Sequence, residues 1–349
     1  TATPKGVMLS HHNLLSNIES FRSIARTTAD DCMISALPFF HSFGFTCTLW
    51  FPMISGFRAA YHVNPLEAGK IGELAGKYRG TMLMATPTFL QAYMRRVEPK
   101  DFEAMRLIFV GAEKLRPALA AQFQEKFGVR PFEGYGATEC APVIAVSVPD
   151  MEIDGVYQKA FREGMTGQPL PGIALKIVDP TTHASLPPGT EGLLLVRGPN
   201  VMLGYLGQPE KTAEVLRDGW YVTGYIARID EDAFMVITDR LSRFSKIGGE
   251  MVPHHAVEEE LHRVAGKEGQ QVFVVTSVPD DRKGEKLVVL HTDEAGDIEK
   301  VREGVALGGL PNLWKPSRDA YVRVMAIPLL GTGKTDLQAV KRIAMESRP

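Results

Sequence analysis

The chain has 349 residues, 39 basic against 41 acidic side chains and a formal net charge of −2, a balance without the basic footprint that nucleic-acid partners require. Hydrophobic residues make up 44% and charged residues 23%, as in an ordinary globular protein with a buried core and two domains, or three. Cys32, Cys47 and Cys140 are three in number, widely spaced and free of any CxxC pair, which argues against a disulfide framework or a zinc ribbon and fits a reducing cytoplasm. No secretory signal is expected, since only a short mixed stretch with two histidines, Val7 to Leu15, follows Lys5.

In chain order, helical patterning covers His12 to Arg26 and a strand pattern covers Asp31 to Leu37. Residues 32 to 57 contain no Asp, Glu, Lys or Arg, a length that can span a bilayer. Pro38, His41, Gly44, Pro52 and Gly56 interrupt it, so a buried strand, loop and helix is expected instead. A helix over Pro65 to Lys77, a strand over Thr81 to Ala85, a helix over Pro87 to Val97, a strand over Leu107 to Val110 and a helix over Arg116 to Phe127 follow. Strands alternating with helices of this length predict a parallel α/β layer. Leu107–Val110 delivers Gly111-Ala112 at its end, where ligands of open α/β sheets collect.

Near residue 150 the texture changes to short strands between Gly and Pro turns: Ala174 to Val178, Gly192 to Arg197 and Phe234 to Thr238. Beyond Asp239 a helix (His254 to Ala265), strands (Gln271 to Val275 and Glu285 to His291), a helix (Asp297 to Glu303) and a strand (Tyr321 to Val324) predict a small α+β domain. The expected division is thus 1–238, with an α/β layer to about 150 and a β-rich part over 151–238, followed by 239–349.

Several stretches carry chemistry. Thr1-Ala2-Thr3-Pro4-Lys5-Gly6-Val7 reads either as a loop that wraps phosphates or as a fraying terminus. In Glu133-Gly134-Tyr135-Gly136-Ala137-Thr138-Glu139, two glycines let a planar ligand reach Tyr135, Thr138 can donate to a phosphate and Glu139 can hold Mg²⁺. A turn with a surface acid is the other reading of the same residues. Arg240, Arg243, Lys246 and the pair Gly248-Gly249 fit a solvated charged linker. Gly331-Thr332-Gly333-Lys334-Thr335 is no P-loop, because the first glycine of GxxxxGKS/T would fall at Pro328 and Lys334 lies 15 residues from the end. GxSxG and HExxH are absent, and neither His11 nor His12 begins an HxxxxD pattern. His254 and His255 before Glu258 and Glu259 read as a helix start with a solvated acidic face, since no fourth metal ligand is suggested.

Taken in order, PKGV, LPFFHSFG, GAEKL, GYGATE, GWYVTG, DRLSRFSKIGGEMV and GTGK resemble the adenylate-forming superfamily of acyl-CoA synthetases, luciferases and peptide-synthetase adenylation domains. The resemblance covers the whole chain. The phrases ALPFFHSFGFT, EGYGATECAPV and KIGGEMV look most like the synthetase half of the 2-acylglycerophosphoethanolamine acyltransferase/acyl-acyl-carrier-protein synthetases. The resemblance implies a large AMP-binding domain over 1–238, part of the family's full one, and a mobile lid over 239–349. It implies ATP-dependent activation of a fatty acid to an acyl-adenylate with Mg²⁺, then transfer to a thiol of acyl-carrier protein or CoA. By the same resemblance Lys5 handles pyrophosphate and His41 sits near the acyl pocket. Gly111, Ala112 and Glu113 flank adenine, while Tyr135, beside Gly136, stacks on it. Thr138 holds the α-phosphate, Glu139 binds Mg²⁺ and Arg240 reaches the ribose. Lys334 serves adenylation, and Lys246 with Gly249 serves thioester formation. Peripheral attachment at the inner face of the membrane and self-association are compatible with it.

The chain departs from the family in three places. The family loop reads roughly Ser/Thr-Ser-Gly-Thr-Thr-Gly-x-Pro-Lys-Gly, and this chain starts inside it with Ala2 in place of a glycine. Most of the amino-terminal subdomain is therefore expected to be missing and catalysis impaired. Tyr225 stands where GWxxTGD carries the aspartate that takes the ribose hydroxyls, and Ser242 occupies the hinge position of Asp or Lys. A degenerate nucleotide- or acyl-binding module is the alternative. A lysophospholipid acyltransferase is disfavoured by the missing HxxxxD pattern.

Overall fold

The computed structural model describes residues 5–268, 270–329 and 335–347. Its first elements are β1 (Val7–Met8), α1 (His11–Ala25), β2 (Cys32–Ser35), a π-helix over Phe43–Trp50, α2 (Phe51–Ser55), β3 (Arg58–Tyr61), α3 (Ala68–Tyr78), β4 (Met82–Ala85), α4 (Pro87–Arg96), β5 (Leu107–Val110), α5 (Pro117–Phe127), β6 (Pro131–Gly136), β7 (Val143–Val146), β8 (Met151–Ile153), β9 (Val156–Gln158) and β10 (Gln168–Pro169). A seven-stranded sheet runs β10–β7–β6–β5–β4–β2–β3. It is parallel from β6 to β3, with β7 and β10 antiparallel at one side. This is the α/β layer expected from the alternation of patterns.

Strands β2, β4 and β5 are buried throughout, because helices cover both faces of a parallel sheet. Their side chains alternate between two cores. Met33, Met82, Met84, Leu107 and Phe109 pack with Ile18 and Phe21 of α1. Ile34, Leu83, Ala85, Ile108 and Val110 pack with Ile71, Leu90 and Phe123 of α3, α4 and α5.

Two elements differ from expectation for local reasons. The helix expected from Pro65 begins at Ala68, because Asn64 accepts from Leu66 N at 3.1 Å and donates to Glu67 at 3.0 Å, holding a turn ahead of it. In the uncharged stretch the helix opens as π-helix. Thr48 Oγ1 donates to Gly44 O at 2.7 Å, the carbonyl that an α-helix pairs with the Thr48 amide. No helix among the described residues is long and apolar enough to cross a membrane.

The β-rich part holds β11 (Ala174–Val178), β12 (Gly192–Arg197), β13 (Gly204–Tyr205), α6 (Pro209–Val215), β14 (Leu216–Arg217), β15 (Trp220–Ile229) and β16 (Met235–Arg240). Its sheet runs β11–β12–β15–β14, with β16 on β15, while β13 pairs with the distant β1.

The chain divides into two compact units between Thr238 and Asp239. The second contains β17 (Phe244–Ile247), β18 (Glu250–Pro253), α7 (His254–Ala265), β19 (Phe273–Asp280), β20 (Gly284–His291), α8 (Ile298–Leu307), β21 (Tyr321–Arg323) and α9 (Leu337–Glu346). Its sheet runs β18–β17–β20–β19, with β21 parallel on β20. The strand expected to stop at Val275 continues to Asp280, since Ser277 Oγ donates to Glu285 Oε1 on β20 at 2.6 Å and so crosses the sheet without an unpaired hydroxyl.

Candidate functional site

The motifs of the first unit converge at the carboxyl ends of the parallel strands, the ligand-collecting side of an open α/β sheet. β5 is followed by Gly111, whose missing side chain would lie 3.4 Å from Gly134 O and 3.5 Å from the Phe43 ring. Ser42 Oγ and Thr138 Oγ1 are hydrogen-bonded at 3.1 Å. Three stretches far apart in sequence, around His41, Gly111 and Tyr135, therefore share one place. His41 is exposed, and its Nδ1 accepts from Phe43 N at 3.1 Å. Ala112 takes a left-handed φ of 68°. Glu113 turns its carboxylate to the start of α4, where Oε2 accepts from Thr88 Oγ1 at 2.7 Å and from Thr88 N at 3.3 Å; a carboxylate is favoured at a helix N-terminus.

Tyr135 is half-buried with its hydroxyl sealed from solvent. Burial, then the neighbouring Tyr225, pushes that hydroxyl well above the ordinary tyrosine range, so it stays neutral. The Tyr225 ring meets Tyr135 edge to face, with centroids 5.3 Å apart and planes at 71°. The glycines flanking Tyr135 have an internal reason as well as the one read from sequence. A side chain on Gly136 would come within 2.4 Å of Pro142 O, so the chain's own backbone excludes it. Behind them Glu133, raised by burial, accepts from Leu115 N at 3.2 Å.

Sequence reading missed the residue that joins the phosphate-loop lysine to the acid. β13 pairs with β1, placing Val7 opposite Tyr205. Lys5 Nζ lies 4.8 Å over the Tyr205 ring, and the Tyr205 hydroxyl donates to Glu139 Oε1 at 2.7 Å. A cation and a carboxylate are thus held on one buried aromatic side chain. Burial, and then the bond to Glu139, pushes the Tyr205 hydroxyl up. Tyr221, a neighbour of the same group, is raised by burial also. Nothing local in Gly204-Tyr205-Leu206 signals this role, which comes from pairing with a strand near the start of the chain.

The second unit holds the other candidates. Arg240 ends β16 and is exposed. Lys246 lies exposed on β17, its backbone N donating to Glu285 Oε2 at 2.7 Å. Gly248 and Gly249, with φ of 59° and 92°, make the two-residue turn between β17 and β18, the left-handed pair that a tight hairpin requires. The solvated charged linker is corrected at Arg243 only, since Arg240 and Lys246 are exposed. Arg243 is largely buried and paired with Asp239 and Glu258. The solvated face expected of α7 holds at His255 and Glu259, which are exposed, and is corrected at Glu258, which is 9% exposed and accepts from Val275 N at 2.7 Å. Burial raises both Asp239 and Glu258. His254 is buried against Ser245 Oγ at 2.5 Å, and burial, with Arg243 and Lys341, lowers it to about 3. No group of three or more His, Cys, Asp or Glu among the described residues is placed to hold a metal ion. Ala2 and Lys334 lie outside the described residues.

A parallel layer with aromatic, hydroxyl, cationic and acidic side chains gathered at its strand ends is the architecture of adenylate-forming enzymes. An ATP-bound chimera of MatB matches with a TM-score of 0.78 at 28% identity, over 98% of this chain and 66% of that one. ATP-bound MatB from Rhodopseudomonas palustris matches with a TM-score of 0.76 at 28% identity, over 97% and 65%. The chain belongs to the AMP-binding enzyme family, whose model matches residues 1–206. Long-chain-fatty-acid–CoA ligase of Salmonella typhimurium is 33% identical over 84% of this chain and 52% of its own length. Feruloyl-CoA synthase of Amycolatopsis is 32% identical over 84% and 58%. The chain spans about half the length of the curated relatives it matches.

Proposed function

We propose that this protein serves the activation of a fatty acid by Mg·ATP and its transfer to the thiol of CoA. A carboxylate oxygen attacks the α-phosphorus, and the bond to pyrophosphate breaks. The thiol sulfur then attacks the acyl carbonyl and AMP leaves, the thiol proton passing to solvent. The observation that carries this reading is the meeting of Lys5, Tyr135, Thr138 and Glu139 at one set of strand ends. Chemistry of this kind rests on positioning and charge stabilisation. In this reading Tyr135, whose ring meets Tyr225 edge to face, offers a face to adenine, and Thr138 donates to the α-phosphate. Lys5 neutralises the pyrophosphate end. On the second unit Arg240 takes the ribose, Lys334 serves adenylation, and Lys246 with Gly249 serves the thiol step.

Mg²⁺ binds through one or two carboxylates together with substrate phosphates and waters. Glu139 fits that use: one oxygen accepts from Tyr205, and the carboxylate keeps further lone pairs. When bound, the ion would neutralise charge on the phosphates.

The curated relatives act on long-chain fatty acids and on ferulate, so the acid is assigned by experiment. ATP–pyrophosphate exchange would be measured with palmitate, ferulate and malonate, beside Lys334→Ala. Exchange that needs palmitate and is abolished in the variant is expected. CoA and holo-acyl-carrier protein are then offered in parallel to preformed acyl-adenylate, which Lys334→Ala should still consume. Exchange with ferulate alone refutes the fatty acid. Thioester formed only on the carrier protein refutes CoA and supports the acceptor suggested by the sequence phrases. Absence of exchange with any acid refutes adenylation by this chain and supports the degenerate binding module.

A further inference from the structure

We propose that three buried asparagines, Asn13, Asn17 and Asn200, are positioning residues that fix the turn carrying Thr138 and Glu139. The inference rests on the reading of Glu139 as the carboxylate for Mg²⁺. Residues 138–142 contain no strand, yet Cys140 and Ala141 are sealed from solvent. The turn bonds part of its backbone itself, since Cys140 N donates to Ala137 O at 2.8 Å and Ala137 N to Pro142 O at 2.9 Å. The Cys140 carbonyl and the first residue of β7 still need partners, and amide side chains supply them. Asn17 Nδ2 donates to Val143 O at 2.7 Å, and its Oδ1 accepts from Val143 N at 3.2 Å. One side chain of α1 thus imitates a pairing strand. Asn200 Nδ2 donates to Cys140 O at 2.7 Å and to Val143 O at 3.3 Å.

Asn13 ties the opposite side of the same construction. Its Nδ2 donates to Pro199 O at 2.7 Å and to Val201 O at 2.8 Å. Its Oδ1 accepts from Ser10 N at 2.8 Å, closing the capping box of α1 immediately after β1. The segment it holds then bonds outward in both directions. Met202 N donates to Glu139 O at 2.8 Å, and Leu203 N donates to Met8 O at 2.9 Å. Tyr205, two residues on, carries Lys5 on its ring and Glu139 on its hydroxyl. A side chain on Gly198 would come within 2.7 Å of Asn200 Oδ1 and would have to displace the amide. All three asparagines are at most 5% exposed. Leucine, of similar size, fills such a site without a single hydrogen bond, and aspartate keeps the acceptor but loses both donors.

The test uses the whole chain with Asn200→Ala and Asn17→Ser, the second keeping a neutral hydroxyl at its site should the first fail to fold. Amide hydrogen exchange is followed by peptide mass, and Mg·ATP binding is titrated at fixed ATP and rising Mg²⁺. Exchange over residues 138–143 and 199–205 should accelerate roughly tenfold, while the second unit stays unchanged. The Mg²⁺ concentration for half-maximal ATP binding should rise about tenfold. A merely structural role lowers Tm and leaves the Mg²⁺ dependence of the folded variants where it was, which overturns the proposal. Unchanged local exchange also overturns it. If the unaltered chain binds no Mg·ATP, the functional reading of Glu139 fails by itself. The clamp is then decided by exchange alone: local acceleration upholds it and its absence overturns it.

Discussion

Replacing Tyr225 by aspartate should tighten Mg·ATP binding. Tyr225 occupies the place where the family pattern has a ribose-binding carboxylate, and its ring instead packs edge to face on Tyr135 at 5.3 Å. Such a contact contributes about 0.5–1.5 kcal/mol, and its loss falls on folding stability. At about 2–4 °C per kcal/mol for a unit of this size, Tm should drop by a few degrees. A carboxylate that accepts from a ribose hydroxyl contributes about 1.5–3 kcal/mol. With one factor of ten for each ~1.4 kcal/mol, ATP should bind Tyr225→Asp about 10–100-fold more tightly. Isothermal titration with Mg·ATP and with Mg·2′,3′-dideoxy-ATP measures it, and Tyr225→Asn controls for size. The gain must vanish with the dideoxy nucleotide. Equal or weaker binding by Tyr225→Asp would refute the reasoning and would mean that Tyr225 serves the site by holding the Tyr135 ring in place.

Three further outcomes follow from the same physical chemistry. Tyr205→Phe keeps the ring under Lys5 and removes the 2.7 Å bond to Glu139. The Mg²⁺ requirement for ATP binding should rise roughly tenfold, and an unchanged titration would detach Tyr205 from the site. Asp31 is sealed in the first unit, where Arg106 binds it bidentately at 2.7 and 2.8 Å and Thr81 Oγ1 donates to it at 2.6 Å. Asp31→Ala should cost about 2–3 kcal/mol, below the ~3–5 of a fully buried pair, because the Arg106 side chain is 40% exposed. Burial raises the Asp31 carboxyl, but the hydrogen bonds from Arg106, Thr81 and Thr28 outweigh it and hold it below its ordinary range. Its contribution is therefore present above pH ~4 and lost as pH falls further, so the difference in urea unfolding free energy between Asp31→Ala and the unaltered chain should shrink as pH falls below ~4. His254, lowered from 6.5 to about 3, is neutral when folded and takes up a proton on unfolding. It removes stability as pH falls from about 6.5 towards 3, by up to about 1.4 kcal/mol per pH unit. Asp239 and Glu258, raised by burial, act in the opposite sense. The difference in unfolding free energy between the unaltered chain and His254→Gln cancels them and should shrink between pH 7 and pH 5; a constant difference would refute the assignment.

How much was legible in the sequence depended on the range of the interaction involved. Leu107–Val110, Ala174–Val178 and the helix His254–Ala265 have the limits read from pattern and turn residues, because those signals are local. The helix after Asn64 and the strand beyond Val275 were misjudged, since a turn side chain in one case and a partner on β20 in the other decide them. Arg243 and Glu258 were read as solvated because charge in a sequence looks solvated; only packing made them buried partners.

The sequence by itself determined the α/β layer, the order of its elements and the stretches that would carry chemistry. Hydrophobic period, glycine and proline positions, and motif order are properties of neighbouring residues. Only the tertiary structure decided that Lys5 and Glu139 share Tyr205, that Tyr225 faces Tyr135, and that α1 supplies amides to segments as much as 188 residues away. Those contacts exist because β13 pairs with β1 and because the turn after Thr138 is buried without a strand of its own. A buried backbone takes whichever donors folding brings to it, and no local pattern records where they come from.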